Sequence, residues 1–246
     1  MERVLILGAT SAIATEVSVR HAARGDRLHL VARDPAKLAE VARRCALGEV
    51  TTAQADFSEL GANEAVIADA IAALDHVDRV LIAHGDLGDQ LRSERSFEEA
   101  DAILRTNFTS VVSLLIPIAS YLERERRGRI GVITSVAGDR GRPRNYTYGA
   151  AKGGLAIYLQ GVRSRLYSAG VSVTTLKLGP VDTPMTVGHA KNPLFTTPER
   201  LAPAIVRAID RRAREVYLPW YWRPILAVVR NTPEALFQRL RFLSGR

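Results

Sequence analysis

The stretch VLILGATSAIATEVSVRHAAR, residues 4–24, decides the architecture. Val4 to Leu7 is an unbroken apolar run of strand length, Gly8 to Ser11 is a tight turn of small residues, and a helical pattern continues to Arg24. Strand, tight turn, helix is the opening half of a dinucleotide-binding βαβ unit. There, small residues let the backbone approach a pyrophosphate, which sits at the positive end of the helix. Only Gly8 of this turn is a glycine; Ala12 and Ala14 hold the places of two others. Gly8, Thr10, Ser11, Ala12 and Ile13 are therefore the expected contacts for a dinucleotide's phosphates.

The same rhythm recurs outward from this unit. Gly25-Asp26 closes the helix, and Leu28 to Ala32 reads as the second strand. Arg33 follows it directly, where an acidic residue would hold the ribose hydroxyls of NAD. An arginine there suits a 2′-phosphate, which favours NADP and leaves NAD open; a solvated loop arginine is the plain alternative. Asp34 is the expected N-cap of a helix from Pro35 to Arg44, and Val50 to Gln54 is the third strand. Asp56 and Phe57 come next; the carboxylate either accepts from an adenine amino group or caps the following turn.

A helix near Asn63 to Leu74 precedes a fourth strand, Arg79 to Ala83, that ends in Ala83-His84-Gly85. His84, just beyond a strand, is expected to lend backbone contact near the cofactor rather than chemistry. Phe97 to Tyr121 is a long helical pattern holding Asn107 among apolar neighbours. That amide reads either as a structural bond to a nearby strand or as a water-holding link in a proton path. Arg129 to Thr134, Val171 to Leu178 and Val216 to Leu218 are further strands, with a helix from Tyr148 to Ala169. Such alternation implies one α/β domain: a doubly wound parallel sheet of about seven strands with helices on both faces. Residues 1–218 form that domain, and 219–246 form a basic, amphipathic tail.

Of the 246 residues, 47% are apolar and 24% charged, enough for a sizeable core. The net charge of +8 suits anionic partners such as phosphorylated cofactors or acidic headgroups. No zinc-ligand spacing, basic low-complexity arm or aromatic RNA-binding signature accompanies it, so neither nucleic acid nor a metal is expected. Cys45 is the only cysteine, which points to a reducing, cytoplasmic home. No signal peptide is legible, and the longest apolar stretch, Val111 to Leu122, is too short for a membrane span.

The chemistry lies in ITSVAGDRGRPRNYTYGAAK, residues 133–152. Tyr148 and Lys152, four apart, share one face of a helix, where the ammonium is expected to depress the phenol's pKa. Ser135, at the end of an apolar strand, would hydrogen-bond a substrate oxygen beside the tyrosine. Tyr-x-x-x-Lys alone also arises by chance in helices.

Together these residues resemble the short-chain dehydrogenase/reductase family across residues 3 to 218 in motif order. Gly8 with Ala12 and Ala14 matches the glycine-rich turn, Asp56 the adenine contact, and Ala83-His84-Gly85 the Asn-Ala-Gly segment. Asn107, Ser135, Tyr148 and Lys152 match the catalytic tetrad, and Val181-Asp182-Thr183, following Gly179, matches the segment that touches the nicotinamide. His84 stands in place of an asparagine and Leu178 in place of a proline. The resemblance implies a Rossmann-type fold and hydride transfer between NAD(P)H and a carbonyl carbon. Tyr148 would donate the proton, Ser135 would hold the oxygen, Lys152 would bind the ribose and lower the tyrosine's pKa, and Asn107 would keep a water.

Substrate selection is expected from 86–95, 139–145 and the segment after Thr183, with 185–197 as a closing flap. Arg140, Arg142 and Arg144 either meet a phosphate or are simply solvated. The tail combines Trp220, Tyr221, Trp222, Leu226, Val229, Leu236, Phe237, Phe242 and Leu243 with arginines, which suits either the inner face of an anionic membrane or the interface of a homo-oligomer. Within the family the sequence is most similar to reductases of a decaprenyl-phosphate-linked keto-pentose, through Gly85 to Asp89, Asn107-Phe108-Thr109, Ala137 to Arg140 and the Trp222-Arg223-Pro224 tail. Three functions follow: a membrane-peripheral reductase of a lipid-linked ketone, a soluble reductase of a small ketone, hydroxysteroid or acyl substrate, or a non-catalytic NADP sensor.

Overall fold

The structure, a computed structural model, describes residues 1–188 and 190–240; Phe242 and Leu243 of the tail lie outside the described residues. Its first half runs β1 (Arg3–Leu7), α1 (Ala12–Ala22), β2 (Arg27–Ala32), α2 (Pro35–Arg44), β3 (Val50–Gln54), α3 (Asn63–Leu74) and β4 (Arg79–Ile82). Then come α4 (Gln90–Ser93), α5 (Phe97–Leu104), α6 (Ser110–Glu125), β5 (Arg129–Ser135), α7 (Tyr146–Leu166), β6 (Ser172–Leu178), α8 (Pro198–Asp210) and β7 (Glu215–Leu218). Two helices close the chain, α9 (Trp222–Asn231) and α10 (Glu234–Arg239).

The strands form one parallel sheet in the order β3-β2-β1-β4-β5-β6-β7. Side chains alternate across a strand, so β1 needs apolar residues at every position only if both its faces are covered. They are: Leu5 and Leu7 pack with Ile67, Leu114 and Leu155 of α3, α6 and α7. Val4 and Ile6 pack with Val17, Leu38 and Ile205 of α1, α2 and α8 on the other face. Strand order reverses between β1 and β4, which opens a crevice at their carboxyl ends.

Three departures from the sequence reading bear on function. The pattern from Phe97 is one helical rod reaching Glu125, but a π turn at Arg105–Thr109, centred on Asn107, joins α5 to α6. That rod, 29 residues, is long and apolar enough to cross a membrane, whereas the sequence reading counted only Val111 to Leu122. Its apolar face, with Val111, Leu114, Leu115, Ile118 and Leu122, is buried in the core of the sheet. Second, α7 starts at Tyr146, two residues before Tyr148, which places Tyr148 and Lys152 in its first two turns. Third, the tail folds back on the body: Trp222, Leu226, Val229 and Phe237 are buried around Val136, while Trp220 and Val228 are exposed.

Candidate active site

A groove of about 410 Å³ occupies the crevice between β1 and β4. Its floor is the turn Gly8, Thr10 and Ser11, with Arg33, Asp56 and His84 on its walls. Gly8 has φ +82°, and a Cβ there would stand 2.6 Å from the His84 nitrogen, so only glycine lets the first turn and the end of β4 approach. Ser11 caps α1 by accepting from the Ala14 amide at 3.1 Å. This cradle, with a helix N-terminus behind it, fits the pyrophosphate of a nicotinamide dinucleotide.

Ala12 and Ala14 do not narrow it. Ala14 is buried in the core and neither residue lines the groove. Ile13 likewise packs toward the core.

At the outer end, Arg33 is 80% exposed on its side chain and lies 4.0 Å from Asp56, with Lys37 beside it on the groove wall. Asp56 caps its own turn, accepting from the Ser58 amide at 2.9 Å and hydroxyl at 2.7 Å. Those bonds hold its carboxyl below the usual carboxylate range. Phe57 packs against His84 with ring centroids 4.8 Å apart and the rings tilted by 50°. His84 bonds the Ser110 hydroxyl at 2.8 Å, and burial followed by the charge of Lys152 pushes it down to about 3, so the imidazole is neutral.

Asn107, Ser135 and the α7 pair Tyr148 and Lys152 arrive from three segments. The Asn107 amide, buried at the π turn, donates to the carbonyls of Asp86 at 2.6 Å and Ile103 at 2.9 Å and accepts from the Asp86 amide at 3.2 Å. Of its two expected roles the structure displays the structural one: it ties α6 to the segment after β4. A Cβ on Gly85 would stand 2.8 Å from Asn107 Oδ1 and 3.2 Å from Lys152 Nζ, so this glycine brings amide and ammonium to the end of the groove. Lys152 Nζ lies 3.5 Å from the Ile133 carbonyl and 5.7 Å from the centroid of the Tyr148 ring. The Ser135 hydroxyl lies beside the Tyr148 phenol, close enough to favour its ionised form.

The electrostatics run opposite to the expectation drawn from the Tyr148–Lys152 spacing. Burial pushes the Tyr148 phenol up to about 12, only partly countered by Ser135, and pushes Lys152 down to about 8. Burial penalises phenolate and ammonium alike, and at this separation the ammonium does not reverse it. Tyr148 is therefore a protonated donor at neutral pH, set beside a hydroxyl that can hold an oxygen.

Sequence reading missed what brings these elements together. Gly149 and Gly153 lie on the face of α7 that meets the turn after Ser135: a Cβ on Gly149 would stand 2.8 Å from the Ala137 carbonyl, and one on Gly153 2.7 Å from that of Gly138. The glycine spacing of four, on the helix that carries Tyr148 and Lys152, was the available signal. Gln90 of α4 accepts from the Thr147 amide at 3.0 Å and so caps α7.

The other expected contacts are held as follows. Ala83 is buried in the core, Gly179 lies under Trp222, Val181 bridges to Thr196, and Thr183 begins a short turn. Of the three loop arginines, Arg140 engages the tail, Arg142 is half-buried with its pKa pushed down by burial, and Arg144 is exposed. Arg140 is thus neither a phosphate ligand nor solvated, because main-chain carbonyls of the tail take its donors. Among the described residues no cluster of His, Cys, Asp or Glu is arranged to hold a metal ion.

Known proteins match this arrangement. A family model described as short chain dehydrogenase matches residues 2–193. An uncharacterized oxidoreductase of Mycobacterium tuberculosis is 36% identical over 240 residues, covering 96% of each chain. The fold is similar to that of levodione reductase, with TM-score 0.80 and 21% identity over 88% of this chain and 95% of that one. It is also similar to an actinorhodin polyketide ketoreductase with NADPH, with TM-score 0.78 and 22% identity over 88% and 95% of the two chains.

Proposed function

The chain belongs to the short-chain dehydrogenase family and is an oxidoreductase, and on that premise we propose that it reduces a ketone to an alcohol with NADPH. The observation that carries this reading is the gathering of Asn107 and Lys152 beside Gly85, at the inner end of the groove, with Tyr148 and Ser135 next to Lys152, while the outer end presents Arg33 and Lys37. The dinucleotide supplies the hydride when bound. Ser135 hydrogen-bonds the carbonyl oxygen, Tyr148 gives it a proton, and Lys152 holds the ribose and supports the tyrosine's loss of that proton. Arg33 and Lys37 favour the 2′-phosphate of NADPH over NADH.

For the substrate class we propose a lipid-like ketone, such as a polyprenyl-phosphate-linked keto-sugar, met at the inner face of a membrane. Its supports are the similar segments at Gly85 to Asp89 and Ala137 to Arg140, and the exposure of Trp220, Arg223, Val228 and Arg230 on and beside α9, residue types suited to anionic lipid. A soluble reductase of a small ketone is the second reading. It is favoured by the burial of Trp222, Leu226, Val229 and Phe237 inside the fold, where they are withdrawn from any lipid.

Titration of NADPH and NADH into the wild type and Arg33→Ala tests the cofactor. The variant is expected to weaken NADPH by about tenfold, about 1.4 kcal/mol, and leave NADH unchanged. Binding of neither nucleotide to the wild type overturns the enzyme reading. Tyr148→Phe is expected to retain NADPH and lose about 10²- to 10⁴-fold of the turnover found in a screen of phosphorylated and lipid-linked ketones. Sedimentation with anionic vesicles separates the two substrate readings: only the first expects the protein in the pellet.

A further inference from the structure

The turn Val136–Asp139 follows Ser135 directly, and the molecule holds it on three sides. On the first, Gly138 packs on Gly153, a Cβ at Gly138 standing 2.6 Å from the Gly153 nitrogen. On the second, the Asp139 carboxylate, 2% exposed, accepts from the Tyr217 hydroxyl at 2.6 Å and pairs with Lys177 of β6 at 2.7 Å. On the third, Arg140 reaches the C-terminal helices. Its Nη1 donates to the carbonyls of Val229 at 2.6 Å and Thr232 at 2.5 Å, its Nη2 pairs with Glu234 at 2.8 Å, and its guanidinium lies 3.9 Å over the ring of Phe237.

Val229 and Thr232 stand at the C-terminal end of α9, where the last carbonyls lack helical partners and the helix dipole is negative. A buried cation is well placed there, and Arg140 is only 13% exposed. The Glu234 partner is 68% exposed, so the carbonyls rather than the ion pair carry the attachment. At the other end of α9, Trp222 packs on Val136 and lies so close to Gly179 that a side chain there would overlap its indole. The tail thus braces the serine turn and the segment after β6 at once.

We propose that Arg140 is a positioning residue: by fastening α9 and α10 to the turn after Ser135 it holds the serine hydroxyl beside Tyr148, which makes the C-terminal helices a working part of the site. The functional meaning rests on the reading of Ser135 as the group that holds the carbonyl oxygen; the mechanical coupling does not.

The Ala137 amide, which donates to Ser135 Oγ at 3.1 Å, is a built-in reporter of that seat. Residue-resolved hydrogen exchange of the full chain would compare the wild type with Arg140→Met, Arg140→Lys and Glu234→Gln, with NADPH affinity measured alongside. Arg140→Met is expected to speed exchange at Ala137 by about tenfold or more, together with amides of α9 and α10, with NADPH affinity within twofold of wild type. Arg140→Lys, which keeps the charge and reaches fewer carbonyls, should restore part of the protection, and Glu234→Gln should be silent. Faster exchange confined to α9 and α10, with Ala137 unchanged, overturns the proposal and leaves Arg140 as a fastener of the tail alone. Should Arg140→Met fail to fold, Arg140→Lys against wild type makes the same comparison at smaller amplitude. Loss of NADPH binding by the wild type would strike the proposed function and leave the exchange result standing.

Discussion

Arg79, at the amino edge of the sheet, and Lys152, near its carboxyl edge, are both buried cations, 1% and 3% exposed. Arg79 is neutralised on the spot, with Glu2 at 2.6 Å and Asp210 at 2.5 Å. Burial alone would raise Asp210, yet the hydrogen bonds and charges of Arg79 and Arg24 hold its carboxyl below the usual range. Among the described residues Lys152 has no such partner: its hydrogen bond there is to the Ile133 carbonyl at 3.5 Å, and burial pulls it down to about 8. A cation buried with counter-ions is finished structure, whereas a cation buried without them is held ready for something that arrives later.

This contrast can be broken at either end. Arg79→Met, which removes the buried cation between Glu2 and Asp210 while Arg129 and Arg24 still pair with them, is expected to destabilise the fold by about 3 kcal/mol in denaturant titration. Lys152→Met should do the reverse. A folded pKa of about 8 lies below the ordinary 10.5, so the unfolded chain binds this proton more tightly than the native one. The resulting cost is fully present below pH 8 and vanishes as pH rises toward 10.5. The variant, measured without nucleotide, should therefore gain about 3 kcal/mol at pH 7 and lose that advantage by pH 10.5, while ketone turnover collapses. A loss of stability at pH 7 would mean that Lys152 is as well compensated as Arg79, and the contrast would fail.

Tyr148 sharpens the same edge: with its folded value raised to about 12 above an ordinary 10, its protonated form stabilises the fold below pH 10, and that contribution drains away from pH 10 to 12. Tyr148→Phe should flatten this high-pH limb of the melting-temperature profile. The smallest effect belongs to the packing between the segments that carry Ser135 and Tyr148. Gly138→Ala, whose Cβ would stand 2.6 Å from the Gly153 nitrogen, should cost about 2 kcal/mol and displace the serine turn; unchanged stability would show that α7 can shift to admit it.

Much of the site was legible before the fold was seen, because its chemistry sits at motif positions. Gly8 announced itself by following an apolar run, and Asn107 by being a lone amide in an apolar helix. Arg33 was read as a cation at a strand end, and it lines the groove. What escaped was set by contact rather than by type. A loop arginine such as Arg140 carries no mark that its donors will be used by carbonyls some 90 residues away. The tail showed apolar and basic residues, but which of them are buried depends on the surface they meet, and Val136 turned out to be that surface. The π turn at Arg105–Thr109 has no periodicity of its own, so the pattern from Phe97 read as one helix.

The amino-acid order by itself determined the alternation of strands and helices, the all-parallel sheet and the chemical identity of the candidate tetrad, since hydrophobic period, small-residue turns and side-chain functional groups are local properties. Only the tertiary structure decided how those groups are tuned and held. Whether a phenol rises to about 12 or a lysine falls to about 8 depends on how much water burial removes and which charges remain nearby. Desolvation and long-range contact are properties of the packed whole, and no short stretch of sequence contains them.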